Sequence, residues 1–275
     1  MFKTLAYAKL NLSFNRDLFI KEYDDIILDY AKPITNSLSS IKETQNLNRK
    51  WNMIPPELYD TGDYFEQPGD TLSYRHVERD RKQWMMTQLM ELDILNVDNP
   101  LMQRLASFGG TSLRNETLDD KYKFKIKPEF ENLQIWKWIN DNLPMQKINS
   151  VHCVSIDEGG MATIHRDRKG LYDSDSSAGI NKVYNEGYVV ITLNISNGGV
   201  PLYWALDGKD IEYVRTSDDD VYLTNDYFVH GVPICTSRRR QVRVTGIPKP
   251  ELYDIINKSN MVDFGPNYKF EPDSP

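Results

Sequence analysis

The chain changes its period near residue 147. Before that point apolar residues recur at spacings of three and four. "NRDLFIKEYDDIILDYAK" sets Leu18, Phe19, Tyr23, Ile26, Ile27 and Tyr30 on one stripe, with Asn15 as N-cap and Pro33 just past the end. That spacing predicts a helix. "ERDRKQWMMTQLMELDIL" (78–95) gives a second expected helix and "PEFENLQIWKWINDNLP" (128–144) a third. In the third, Phe130, Leu133, Trp136, Trp138 and Ile139 form an apolar face and Pro144 stops it. The stretch 45–75, with Pro55, Pro56, Gly62, Pro68 and Gly69, reads as loop.

After residue 147 the runs shorten and turn β-rich: "INSVHCVSI", "MATIHRD", "GYVVITLNIS", "VPLYWAL", "IEYVRT", "DVYLTN", "YFVHGV" and "RQVRVTGI". Turn-forming clusters such as "DEGG", "SNGG", "DGKD" and "SDDD" separate them. Many short strands with no helices between them predict an antiparallel sandwich or barrel. The expected organisation is a helical and irregular region over 1–125, a β domain over 126–250, and a Pro-rich tail over 251–275 that wraps the surface.

Composition narrows the function classes. With 275 residues and 40% hydrophobic content the chain can bury a substantial core. A net charge of −7 gives no global electrostatic case for nucleic-acid binding. No run of about 18 apolar residues is present, and the N-terminus lacks a signal-peptide pattern, so the expected setting is cytoplasmic with no membrane partner. Two cysteines, Cys153 and Cys235, read as small buried apolar residues in a reducing compartment.

The chemistry concentrates around "MATIHRDRKG". Together with "DFG" at 263–265, "HRD" at 165–167 mimics protein-kinase signatures, but the Asn expected five residues after Asp167 is Tyr172, and no Gly-rich phosphate loop precedes it. In a strand, residues two apart point to one face, so His165 and Asp167 converge. A transition metal needs a third ligand from a distant strand, and His230, 65 residues on, can supply it. Two imidazoles and one carboxylate suit non-haem Fe(II), although zinc accepts the same set. In "SRRRQVRV", Arg240, Val242 and Val244 share one face. With the valines facing the core, Arg240 becomes a cation at the wall of an apolar pocket, and it calls for a carboxylate partner.

These residues resemble the 2-oxoglutarate and Fe(II)-dependent dioxygenases, and within them the prolyl hydroxylase-like branch. Gly159 stands six residues before His165, "TLNISNGG" (192–199) is similar to that branch's strand and turn, and "HGVPICTSRRR" places Arg240 ten residues after His230. The resemblance spans about residues 147–248. The branch's aromatic positions are here Ile156, Ala162 and Thr192, and its acidic residue after Gly-Gly is Val200. The resemblance implies an α+β chain with a double-stranded β-helix (jelly-roll) core and Fe(II) on His165, Asp167 and His230. It implies 2-oxoglutarate held by Arg240, with Thr192, Asn194 and Tyr188 as further hydrogen-bonding positions. The implied activity is oxygen-dependent hydroxylation of a peptide or small-molecule C–H bond, releasing succinate and carbon dioxide. The alternatives are a cupin-like metal enzyme without 2-oxoglutarate and a binding module with a degenerate triad.

Overall fold

A computed structural model describes residues 5–33, 84–92, 124–160, 162–165, 189–205, 211–225 and 229–264. In chain order these form β1 (Leu5–Leu10), α1 (Arg16–Glu22), β2 (Lys32–Pro33), β3 (Trp84–Gln88), β4 (Met90–Leu92), β5 (Phe124–Ile126) and α2 (Gln134–Asn142). There follow β6 (Met145–Ile156), β7 (Ala162–His165), β8 (Val189–Asn197), β9 (Leu202–Ala205), β10 (Ile211–Val214) and β11 (Val221–Thr224). The last are β12 (Val229–Val232), β13 (Arg239–Pro248) and β14 (Ile256–Asp263). Each of the eight β-rich runs read from the sequence after residue 147 contains a strand.

Among the described residues the strands build an eight-stranded sheet, β14-β1-β11-β8-β13-β6-β3-β2, and a four-stranded sheet, β10-β9-β12-β7. A small β4-β5 pair stands apart. Neighbours pair antiparallel throughout. From β6 to β13 the chain passes back and forth between the two larger sheets. Val154, Ile156 and Tyr222 of the large sheet pack with Ala162, Leu202, Val214 and Val232 of the small one. This is the inter-sheet core.

The opposite face of the large sheet is covered by helices. Val151, Cys153, Ile191, Leu193, Val242 and Val244 meet Phe19, Ile27, Ile135 and Ile139 there. β8 is therefore buried on both faces: Ile191 and Leu193 face the helices, while Thr192 and Asn194 face the second sheet. α1 forms where its stripe predicts, with Asn15 Oδ1 accepting from the Leu18 N–H at 3.2 Å. It continues as a π turn over Tyr23–Ile27 and a 3-10 turn over Leu28–Tyr30. α2 also lies within its expected span. The Glu22 carboxylate accepts from the N–H groups of Gln134 (2.6 Å) and Ile135 (2.9 Å), placing negative charge at the positive end of α2.

The helix expected over 78–95 is corrected: 84–88 and 90–92 are strands, and 78–83 and 93–95 lie outside the described residues. β6 presents unpaired backbone groups over 152–156, and pairing with β3 satisfies them. Met86 then packs toward the inter-sheet core, while Thr87 Oγ1 donates to Ile27 O at 2.8 Å on the helix side. Tertiary pairing overrides the local helical pattern. Among the described residues of 1–125, β1 and β3 join the large sheet, so this part is less helical than expected. Part of the expected surface tail is β14, paired with β1 at the sheet edge. Among the described residues no helix is long and apolar enough to cross a membrane.

One close approach gives a sharp test. A Cβ on Gly246 would lie 2.0 Å from Lys147 O, where β13 and β6 shift register. Gly246→Ala is expected to cost about 1–3 kcal/mol through forced backbone movement, measured by urea unfolding. Wild-type stability would refute this register.

Candidate functional site

The small sheet brings the two candidate histidines together. His165 ends β7 and His230 lies in β12, and their α-carbons are direct partners in the antiparallel register. Opposed positions in such a pair are about 5 Å apart and lie on the same side of the sheet. A register shift follows at once, with Val232 pairing Ala162. His230 is half-buried. Asp167, two positions past the end of β7, and Tyr188 both lie outside the described residues. Among the described residues no group of three His, Cys, Asp or Glu side chains converges.

The floor facing β12 is the inner face of the large sheet, and it is unusually polar for a buried surface. Thr192 lies between Arg243 of β13 and Tyr222 of β11, and Asn194 is the partner of Gln241. Both Thr192 and Asn194 are buried, as expected of inward positions. Asn194 is largely committed to the scaffold. Its Nδ2 donates to Ser217 O at 2.7 Å, and its backbone N–H and C=O bond Asp220 O and Asp219 N, each at 2.8 Å. That loop turns through Asp219 at φ 68°.

The arginines divide between the faces in the opposite sense to the expectation. Arg240 points to the helix-covered face, in phase with Val242 and Val244. Its Nε and Nη2 hold both oxygens of Asp24 at 2.8 and 2.7 Å, a bidentate pair that docks the π turn on the sheet. The valines do face a core, but it is the core under the helices. Arg240 is therefore not brought to the histidine side, and its carboxylate partner is internal. Arg238 is exposed and pairs with Asp157 at 2.6 Å.

Arg239 takes the inward position and is 0% exposed. Its Nη1 donates to Asn197 O at 2.7 Å. With the Gln241 amide oxygen turned to the guanidinium, that oxygen accepts from Arg239 Nη2 (2.8 Å) and Nε (3.1 Å) and from the Tyr222 hydroxyl (2.6 Å). The reverse orientation lets Gln241 Nε2 donate to Asn194 Oδ1 at 3.2 Å but sets an NH₂ group against two guanidinium donors, so the first is favoured. Each of these acceptors is neutral, and no carboxylate among the described residues pairs with Arg239. A buried cation without a counter-ion costs several kcal/mol.

The surroundings hold this side chain in place. A Cβ on Gly198 (φ +70°) would come within 3.0 Å of both Arg239 Cβ and Cys235 Sγ, so the turn after β8 closes on the arginine's stem. Burial raises the Tyr222 pKa, with the Arg239 charge and hydrogen bond opposing. Burial likewise pushes the Cys235 thiol up to about 11, again against Arg239. Cys153 is raised by burial alone. Both cysteines are buried, in keeping with their reading as packed apolar residues. Sequence reasoning missed Arg239, Gln241 and Tyr222. The available signal was the matching polar alternation of β8 (Thr192, Asn194) and β13 (Arg239, Gln241, Arg243), which pair in register as one polar face.

No family model and no curated protein sequence matches the chain. Solved structures do. An oxidoreductase of the 2OG-Fe(II) oxygenase family from Burkholderia pseudomallei is 8% identical, covering 78% of this chain and 91% of that one at a TM-score of 0.32. A Trichoplax adhaerens prolyl hydroxylase, solved with a hypoxia inducible factor peptide fragment, is 13% identical, with 86% and 91% covered at 0.32. A Pseudomonas putida prolyl-4-hydroxylase is 10% identical, with 82% and 98% covered at 0.30. Likeness at this level is distant, and the chemistry is read from the residues above.

The Asp24–Arg240 pair is half-shielded, with side-chain exposures of 32% and 17%. Asp24→Ala is expected to cost about 1–2 kcal/mol, between the exposed and buried limits for ion pairs. The readout is a lower urea midpoint at unchanged slope; an unchanged midpoint would show that the pair does not dock the helix.

Proposed function

We propose that this chain is an Fe(II)- and 2-oxoglutarate-dependent oxygenase on a double-stranded β-helix, of the prolyl hydroxylase-like branch, hydroxylating a peptide or small-molecule substrate. One observation carries the reading. His165 and His230 are direct partners on one sheet, and a buried guanidinium with no carboxylate partner among the described residues, Arg239, stands on the inner face of the sheet packed against it. The alternation of β6 to β13 between two antiparallel sheets supports the fold assignment.

The donor set fits a ferrous ion. Two imidazoles from adjacent strands and the carboxylate of Asp167 would hold it and leave coordination positions open. When bound, iron with 2-oxoglutarate supplies oxygen activation, with succinate and carbon dioxide as coproducts of hydroxylation. The chain's own residues bind and position. Arg239, not Arg240, pairs with the far carboxylate of the diacid, because Arg240 is held by Asp24 on the other face. Gln241, itself bonded by the Tyr222 hydroxyl, accepts from two guanidinium nitrogens and so restrains the Arg239 head group. Val154, Ile156, Leu202 and Val232 form apolar walls that exclude water and strengthen that pairing. Thr192 lines the same face as a further hydrogen-bonding position, and Asn194 acts chiefly by holding the β10–β11 connection.

Anaerobic titration of the Fe(II)-loaded protein with 2-oxoglutarate, followed by the visible charge-transfer band of the chelate, tests this directly. Arg239→Met is expected to weaken 2-oxoglutarate binding at least about tenfold, since a charge-assisted bond is worth about 1.5–3 kcal/mol. Arg240→Met should leave the affinity unchanged, and His230→Ala should remove the metal. Wild-type affinity in Arg239→Met would reject the anchor; absence of the band in the wild-type protein would reject the oxygenase reading.

A further inference from the structure

Arg243 shares the inner face of β13 with Arg239, four residues further along the strand. At a rise of about 3.3 Å per residue their α-carbons stand about 13 Å apart. The head of Arg239 is held by Asn197 O and Gln241. The two cations therefore mark different places on one face.

The register sets Thr192 on one side of Arg243 and His152 on the other. Both are buried, as are Gln241 and Thr245 on either side of it along β13. Arg243 itself is half-buried, so solvent reaches this polar face at one of its cations. Burial raises the Tyr222 pKa, and the Arg243 charge is among those that oppose it, which keeps the guanidinium near the face. Among the described residues, the inward positions of β3, β6, β8 and β13 carry no Asp or Glu. A guanidinium has five N–H donors, so it can keep contacts within the chain and still present an edge to a ligand.

We infer that Arg243 binds the substrate, through a carboxylate that the substrate carries apart from the carbon to be oxidised. This rests on the proposed oxygenase reading and names its substrate class, an acid. The two oxygens of a carboxylate meet the guanidinium fork in parallel, and its single charge balances one cation. A phosphate monoester brings a charge of about −1.5 to −2, and the other inward arginine of β13 is about 13 Å away along the strand. The carboxylate belongs either to a free small-molecule acid or to an acidic side chain of a peptide, and the experiment separates the two.

Calorimetric titration of the full chain loaded with Fe(II) and 2-oxoglutarate, without oxygen, is the test. The probes are free L-amino acids, each beside its primary amide, and N-acetylated, C-amidated tripeptides carrying either Glu or Gln. Wild type should bind at least one acid about tenfold or more tightly than its amide counterpart, the worth of a charge-assisted bond. Preference among the amino acids marks a free acid as the source; preference among the tripeptides marks an acidic side chain. Arg243→Met should erase that preference. Arg243→Lys, which keeps the charge and loses the fork, should retain part of it. Both variants should still take up 2-oxoglutarate as the wild type does. Acid and amide binding alike, no probe binding at all, or a preference that survives Arg243→Met would overturn the inference and leave the oxygenase reading standing. Loss of 2-oxoglutarate affinity in both variants would also overturn it, by moving Arg243 to the diacid. Failure of the wild type to bind 2-oxoglutarate would sink the oxygenase reading and this inference with it.

Discussion

The two-residue period of β13 is the constraint on which the rest depends. This strand runs through the middle of the large sheet, paired with β6 on one side over Arg239–Pro248 and with β8 on the other over Arg239–Gly246. Its backbone has no freedom to rotate, so each side chain is assigned to a face by parity alone. Arg239, Gln241 and Arg243 are sent toward the second sheet; Arg240, Val242 and Val244 are sent under the helices. The bulge at Ile195 falls on β8, which leaves the phase of β13 intact across the two arginines. A one-residue slip would exchange a sequestered cation for an internally neutralised one.

Much of the fold was legible because its signals are local. Alternation and turn residues marked each strand from β6 to β13, and a period of three and four with an Asn cap marked α1. What was not legible depends on partners far away in sequence. Residues 84–92 contain good helix formers, yet they complete an edge of β6 that no local window reveals. The facing of the two arginines has the same origin. The sequence shows that Arg239 and Arg240 alternate, but a valine-lined face is a core face on either side of a sheet that is covered twice. Only the helices, docked through Asp24 and Glu22, say which core belongs to which face.

The inner face carries a density of polar groups that a merely structural sandwich has no reason to hold. Thr192, Asn194, Gln241, Arg239, Tyr222 and Tyr7 occupy positions where Val or Leu would pack at less cost. Some are satisfied among themselves, as Asn194 and Gln241 are. Arg239 has no carboxylate partner among the described residues, and the Tyr7 hydroxyl has no hydrogen-bond partner there.

The glycine turn behind Arg239 has a thermodynamic consequence. An arginine free in solution surrenders up to about 2 kcal/mol of rotamer entropy when it is immobilised. Here Gly198 closes on the stem, and Gln241 and Tyr222 hold the head. That entropy is surrendered once, when the chain folds, and is not charged again to each binding event. A fixed arm also cannot extend or retract to follow its guest. In the proposed reading, chain length between the guest's two ends would thereby become a quantity the protein can measure, with the rigid guanidinium as the zero of the ruler.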